Sequence, residues 1–154
     1  MCIILTMKYY AYENFRDDTK ALIKQIDEFN PQAVVGIARG GLTLAHCIAE
    51  GIGLREVQTL RTELYDDTKK RECISVFNMC DFEKDIKRIL VVDDIADSGD
   101  TLDAVMKDLK AKNLEIEFKS ATLFYKKTSI YKPDFWINEA TEWIEFFWEK
   151  DFLK

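Results

Sequence analysis

Apolar residues recur along this chain with two different spacings, and the alternation between them predicts its architecture. From Tyr12 to Phe29, the residues Phe15, Leu22, Ile23, Ile26 and Phe29 share one side of a helical repeat with charges between them, and Asn30-Pro31 ends the pattern. Ala33 to Ile37 is a short continuous apolar run, as expected of a strand covered on both faces. A helical run follows from Leu42 to Ile52. Arg55 to Arg61 reads as a strand through Val57, Thr59 and Leu60, and Cys73 to Phe77 as a returning one. Ile89 to Val92 is the strongest buried-strand pattern, and a charged connection from Asp81 to Lys87 leads into it. Leu102, Val105, Met106 and Leu109 then mark a further helix, and Ile116 to Tyr125 a further strand. Strands that alternate with helices predict an α/β fold, an open and mostly parallel sheet flanked by helices. Its ligand loops would lie at the carboxyl ends of the strands.

The tail departs from this rhythm. Residues 133–137 and 142–149 hold all three tryptophans, a density expected of core or of a subunit interface. The chain has 154 residues, enough for one domain with one sizeable core. No apolar run approaches the roughly 18 to 20 residues that span a bilayer, and residues 1–6 are too short and lack the basic start of a secretory signal. Met7 is an alternative start, which would leave residues 1–6 as an extension. A formal charge of −6 argues against nonspecific nucleic-acid binding, so an anionic ligand would be held by local loops. Cys2, Cys47, Cys73 and Cys80 lack C-x-x-C spacing and no histidine cluster accompanies them, which predicts free thiols in a reducing cytoplasm rather than structural zinc. His46, the lone histidine, falls inside a predicted helix, where packing or partial exposure is expected.

Candidate chemistry gathers between Arg88 and Leu102. The strand ends in Asp93-Asp94, and after two residues comes Asp97-Ser98-Gly99-Asp100-Thr101 immediately before a helix. Small and hydroxylated residues at a helix start can turn backbone N–H groups toward a phosphate. Upstream, Arg39-Gly40-Gly41 also sits between a strand and a helix, where glycines permit close backbone approach and the guanidinium offers a fork for phosphate oxygens. The polar stretch from Glu63 to Glu72 is open to two readings, a solvated hairpin tip or a lid over a ligand. Lys126 and Lys127 at the end of a strand are equally open to being solvated or functional.

The order apolar strand, Asp-Asp, two residues, Asp-Ser-Gly-x-Thr resembles the ribose-phosphate signature of the type I phosphoribosyltransferases, which move a phosphoribosyl group from PRPP to a nitrogenous base. The tail Trp143-Ile144-Glu145, followed by Trp148-Glu149, is similar to the closing segment of the short bacterial xanthine-guanine members, and the resemblance runs from about Lys8 to the end. It implies one domain over residues 7–154, with a small hood formed by the terminal segments, chiefly 134–154, over the base. It also implies cytoplasmic purine salvage, a homodimer or homotetramer, and Mg²⁺ as cofactor, with PRPP and a 6-oxopurine as ligands and no nucleic acid or membrane as partner.

Residue by residue, the resemblance implies that Arg39, Gly40 and Gly41 hold the pyrophosphate and Arg71 a phosphate from the lid. Asp93 would face the ribose side and Asp94 the metal, both as part of the PRPP site. Ser98, Gly99, Asp100 and Thr101 would hold the 5′-phosphate, Asp100 through its backbone alone. Asp97 would be the catalytic base at the imidazole edge of the purine. Lys126 would donate to the 6-oxo group, Trp143 would stack on the ring, and backbone groups near Ile144 would read its edge. Where relatives place Ser-Tyr near the start of the lid, this chain has Leu64-Tyr65. Two other readings share these motifs: a transferase for another base, and a noncatalytic regulator that senses PRPP or purine.

Overall fold

A computed structural model describes residues 5–66 and 72–154, the side chains of residues 65, 66 and 72 aside. The elements run β1 (Met7–Tyr10), α1 (Tyr12–Ile26), β2 (Ala33–Ala38), α2 (Leu42–Ile52), β3 (Val57–Asp66), β4 (Glu72–Phe77), β5 (Arg88–Val92), β6 (Ile95–Ala96), α3 (Asp100–Lys112), β7 (Glu117–Tyr125), β8 (Phe135–Glu139), β9 (Trp143–Phe146) and α4 (Phe147–Lys150).

The main sheet has the order β4-β3-β2-β5-β7, with β8 on the far edge of β7. All its pairings are parallel except that of β3 with β4. β6 prolongs the line of β5: Val92 pairs with Ala121 and Ile95 with Phe124, so the same register resumes after Asp93 and Asp94.

Alternation along the central strands builds two cores. Val34, Leu90 and Val92 face α1 and α2, packing with Leu22, Ile26, Leu44 and Ile48. Val35, Ile37, Ile89 and Val91 face the opposite way, toward Leu102, Val105, Met106 and Leu109 of α3. Each fully buried Leu, Ile or Val contributes roughly 1.5–3 kcal/mol, so these strands hold the sheet while their carboxyl ends remain free for chemistry. From β2 the chain crosses by α2 to β3, and from β5 it crosses by α3 to β7 on the other side. The order therefore reverses between β2 and β5, which opens a crevice there.

Two elements differ from the expectation drawn from periodicity. α1 stops at Ile26 rather than Phe29, because Asn30 takes a left-handed conformation (φ 47) ahead of Pro31. β3 runs on to Asp66, since backbone pairing with β4, from Arg61 opposite Phe77 to Asp66 opposite Glu72, extends the hairpin into polar sequence. The stretch 63–72 is thus strand at both ends. Its centre, residues 67–71 with Arg71, lies outside the described residues.

The tail also divides differently from a single 134–154 hood. β8 joins the main sheet beside β7, whereas β9 pairs in parallel with β1, Met7 opposite Trp143 through Tyr10 opposite Phe146. The hood is this two-stranded ribbon, made by the two ends of the chain. Tyr10, Phe124 and Phe146 pack edge to face beneath it, with ring centroids 5.0 to 5.8 Å apart, which fixes the ribbon to β7. His46 is exposed on α2. No described helix is long and apolar enough to cross a membrane.

Candidate active site

The end of β5 positions two carboxylates. The Asp93 N–H donates to the Ala121 carbonyl at 3.1 Å, and the Asp94 carbonyl accepts from the N–H groups of Leu123 and Phe124 at 3.0 and 3.2 Å. Backbone pairing to β7 thereby pins both residues, 9% and 8% exposed, at the floor of the crevice. The Asp93 carboxylate accepts the Asp94 N–H at 2.9 Å, and Asp94 Oδ1 accepts the Ile95 N–H at 2.8 Å. Neither acid has an ion-pair partner among the described residues. Burial raises the Asp94 carboxyl to about 6, with the charge of Glu149 adding to the rise. Burial and the neighbouring Asp94 hold Asp93 well above the usual carboxylate range. The floor is therefore primed for a cation.

The loop between β2 and α2 presses against these acids, and its glycines make that possible. A Cβ on Gly40 would collide with Asp94 Oδ2, and one on Gly41 would collide with the Val92 carbonyl oxygen. Within the loop the Ala38–Arg39 peptide is cis. Arg39 and Gly40 line a cavity of about 820 Å³ with Asp93, Asp94, Thr43 and Thr62. No described carboxylate pairs with Arg39.

On the other side of the acids, Gly99 stands at the N-cap of α3 in a left-handed conformation (φ 86) and offers no capping side chain of its own. The Asp100 N–H donates to Ser98 Oγ at 3.3 Å, and the start of the helix borders a cavity of about 250 Å³ lined by Asp93, Asp94, Asp97, Ser98, Gly99 and Thr101. The loop is held from behind: the Ile130 N–H donates to the Ser98 carbonyl at 2.8 Å, and a Cβ on Gly99 would strike Ser129. Asp100 is exposed, and with Asp103 it favours the positive end of the helix dipole.

A third cavity, about 450 Å³, lies beneath the hood and is lined by Asp94, Asp97, Lys126, Trp143, Ile144 and Glu149, among others. Strand register explains its polar pair. Ala96 pairs with Tyr125, so Asp97 and Lys126 emerge side by side, and the Lys126 N–H donates to the Ala96 carbonyl at 3.0 Å. Lys126 Nζ stands 3.3 Å from Asp97 Oδ1. Lys127 pairs instead with Glu139 at 3.4 Å and does not line the cavity. Trp143 is 57% exposed, an open aromatic face at the mouth, whereas Ile144 is 6% exposed in the wall. Asp94 borders all three cavities, so they form one cleft.

The phosphoribosyl transferase domain family model matches residues 7–152. This chain belongs to that family. A solved xanthine-guanine-hypoxanthine phosphoribosyltransferase of Helicobacter pylori is 40% identical with a TM-score of 0.89, over 95% of this chain and 96% of that one. A purine phosphoribosyltransferase from Pyrococcus horikoshii is 26% identical with a TM-score of 0.83, over 92% and 93%. A xanthine-guanine phosphoribosyltransferase of Cereibacter sphaeroides is 29% identical over 150 residues, 92% of this chain and 86% of its own.

Within this phosphoribosyltransferase fold, most residues singled out from the sequence border the cleft; Gly41 and Asp100 do not line it, and Arg71 lies outside the described residues. Arg39 and Gly40, Asp93 and Asp94, Asp97 to Gly99 with Thr101, and Lys126 with Trp143 and Ile144 all border it. Gly41 packs closely against the Val92 carbonyl beneath the loop, and Asp100 opens the first turn of α3 with its N–H donated to Ser98 Oγ. Sequence reading missed Glu149, which lines both the hood cavity and the Arg39 cavity. It also missed Glu142, Thr43 and Thr62. Glu149 sits in α4, a four-residue helix too short to show a period. The polar residues at the carboxyl end of β3 were a signal that would have found Thr62.

Proposed function

We propose that this phosphoribosyltransferase moves the 5-phosphoribosyl group of PRPP onto a 6-oxopurine, giving a nucleoside monophosphate and pyrophosphate. The observation that carries the reading is the Lys126–Asp97 pair beside an open tryptophan face, in a cavity that meets the Arg39 cavity and the cavity at the start of α3 at Asp94. A purine stacked on Trp143 presents its 6-oxo group to the Lys126 ammonium and its imidazole edge to Asp97. Adenine brings a donor to the same ammonium, so two donors face each other and a buried polar group is left unpaired.

The reaction forms a bond from a purine ring nitrogen to C1′ as the bond from C1′ to the pyrophosphate oxygen breaks. Asp97 takes the proton that leaves the imidazole edge, a role that contributes about 10² to 10⁴-fold. The first-turn N–H groups of α3, with Ser98 and Thr101, hold the 5′-phosphate, and Arg39 with the Gly40-Gly41 backbone receives the pyrophosphate. Asp93 and Asp94 hold the ribose hydroxyls and balance the positive charge that develops on the sugar.

Mg²⁺ suits this donor set. Two oxygen-bearing carboxylates, held without a cation and penalised by burial, match an ion that takes one or two carboxylates and fills its sphere with substrate oxygens and water. Asp94 would hold it, through the carboxylate oxygen not engaged by Ile95, and the ion would offset charge on the departing pyrophosphate. Mixed with PRPP, Mg²⁺ and guanine, the protein should release one pyrophosphate per GMP, and chelation by EDTA should stop both. Pyrophosphate release without nucleotide, or no product from any 6-oxopurine, would overturn the reading.

A further inference from the structure

We infer that Glu142 is a specificity-determining residue, which makes the enzyme favour a purine carrying a 2-amino group over one carrying a 2-oxo group. The inference rests on the 6-oxopurine reading above and sharpens it. Lys126 follows Tyr125, whose carbonyl accepts the Ala140 N–H at 2.9 Å. Residues 140–144 therefore run along the cavity wall next to the lysine before Ile144 enters β9. With the 6-oxo group at Lys126 and the imidazole edge at Asp97, the rest of the six-membered ring, its 2-substituent included, falls to this wall.

Glu142 is the one charged side chain that segment 140–144 offers to the cavity. It has no hydrogen-bond or ion-pair partner among the described residues, so its carboxylate keeps its full accepting capacity. The charges around the ligand add to its effect. Asp97, Glu142 and Glu149 line the cavity against Lys126, the single cationic side chain among its described lining residues, and Asp97 already pairs with it. Guanine answers such a wall with two N–H donors on its 2-amino group. Hypoxanthine has only a hydrogen there. Xanthine presents a second carbonyl oxygen, and it also gives up a ring proton more readily than the other two, so an acidic wall opposes both its neutral and its anionic forms. A hydrogen bond to a charged group, exchanged for a repulsive contact, corresponds to about tenfold or more in selectivity.

The test is kcat/KM for guanine, hypoxanthine and xanthine at saturating PRPP and Mg²⁺, in the wild-type protein and in Glu142→Gln and Glu142→Lys. Wild type should prefer guanine to xanthine. Glu142→Gln should narrow that ratio about tenfold, and Glu142→Lys should narrow it further or reverse it, with hypoxanthine turnover changing less than that of guanine. A wild-type preference for xanthine, or a ratio that stays the same in both variants, would overturn the assignment. Equal loss for all three bases would overturn it too, since that pattern belongs to folding or positioning. No nucleotide from any base with the wild-type protein would be a different failure, that of the 6-oxopurine reading itself.

Discussion

Replacing Asp97 by Asn keeps the size of the side chain and removes its capacity to take a proton. Two effects of that change can be separated by magnitude. Asp97 and Lys126 are both about half exposed and stand 3.3 Å apart. A solvent-screened pair of that kind contributes about 0–1 kcal/mol to stability, so the melting temperature should move little. Loss of a general base costs about 10² to 10⁴-fold in turnover, or roughly 3 to 5.5 kcal/mol of barrier. Asp97 also lines the cavity at the start of α3, but the groups we propose to hold PRPP are the start of α3, Arg39 and the Asp93–Asp94 floor. The KM for PRPP should therefore stay within about threefold, since the anchoring contacts to phosphate and pyrophosphate persist. Steady-state kinetics with guanine, followed by ultraviolet absorbance, together with a thermal melt, measures all three quantities. A kcat within tenfold of wild type would refute Asp97 as the base. A rise in the PRPP KM that matched the fall in kcat would place it in binding.

Other outcomes follow from the same geometry. Gly40→Ala puts a methyl group onto Asp94 Oδ2, so PRPP binding should weaken by tenfold or more, read from KM, while Gly53→Ala, strained by its left-handed backbone (φ 74) but outside the cleft, should lower stability and leave that KM unchanged. Trp143→Ala removes the stacking face, which is worth about 1–3 kcal/mol per base; the KM for guanine should rise by about 5- to 150-fold and the KM for PRPP should not. Asp94 supplies a pH signature in the metal-free protein. Its folded carboxyl is raised from 3.8 to about 6, so the folded state binds its proton more tightly than the unfolded chain. Relative stability from this group is thus full below about pH 4 and is lost as the pH rises through about 6, amounting to about 3 kcal/mol at most. Melting temperatures without metal should fall over that interval, and Asp94→Asn should flatten the fall and raise stability at pH 7.5. An unchanged slope in the variant would contradict a buried, unpaired Asp94.

Much of the layout follows from local pattern, because the central strands and helices have one dominant period each. Leu42–Ile52 appears as read, and the buried runs at 33–38 and 88–92 form adjacent strands. The two loops that border the cleft were legible for the same reason: glycine and hydroxyl residues stand where a strand gives way to a helix. What escaped depends on pairing between distant segments. The hood joins Met7–Tyr10 to Trp143–Phe146, and nothing local in either four-residue strand announces its partner. The extension of β3 through polar residues reflects the backbone of β4 rather than side-chain preference. The adjacency of Asp97 and Lys126 comes from a register resumed after the Asp93–Asp94 step, a feature no spacing in the sequence displays.

The account stands on Lys126, Asp97 and Trp143 selecting a 6-oxopurine, and nucleotide formation from four bases tests this most directly. With PRPP and Mg²⁺, the wild-type protein should convert guanine and hypoxanthine at rates at least a hundredfold above adenine, consistent with sites that reject a mismatched hydrogen-bond partner. Lys126→Met should collapse that margin chiefly by lowering the oxopurine rates. Adenine accepted as readily as guanine, or a margin that survives the loss of Lys126, would contradict it.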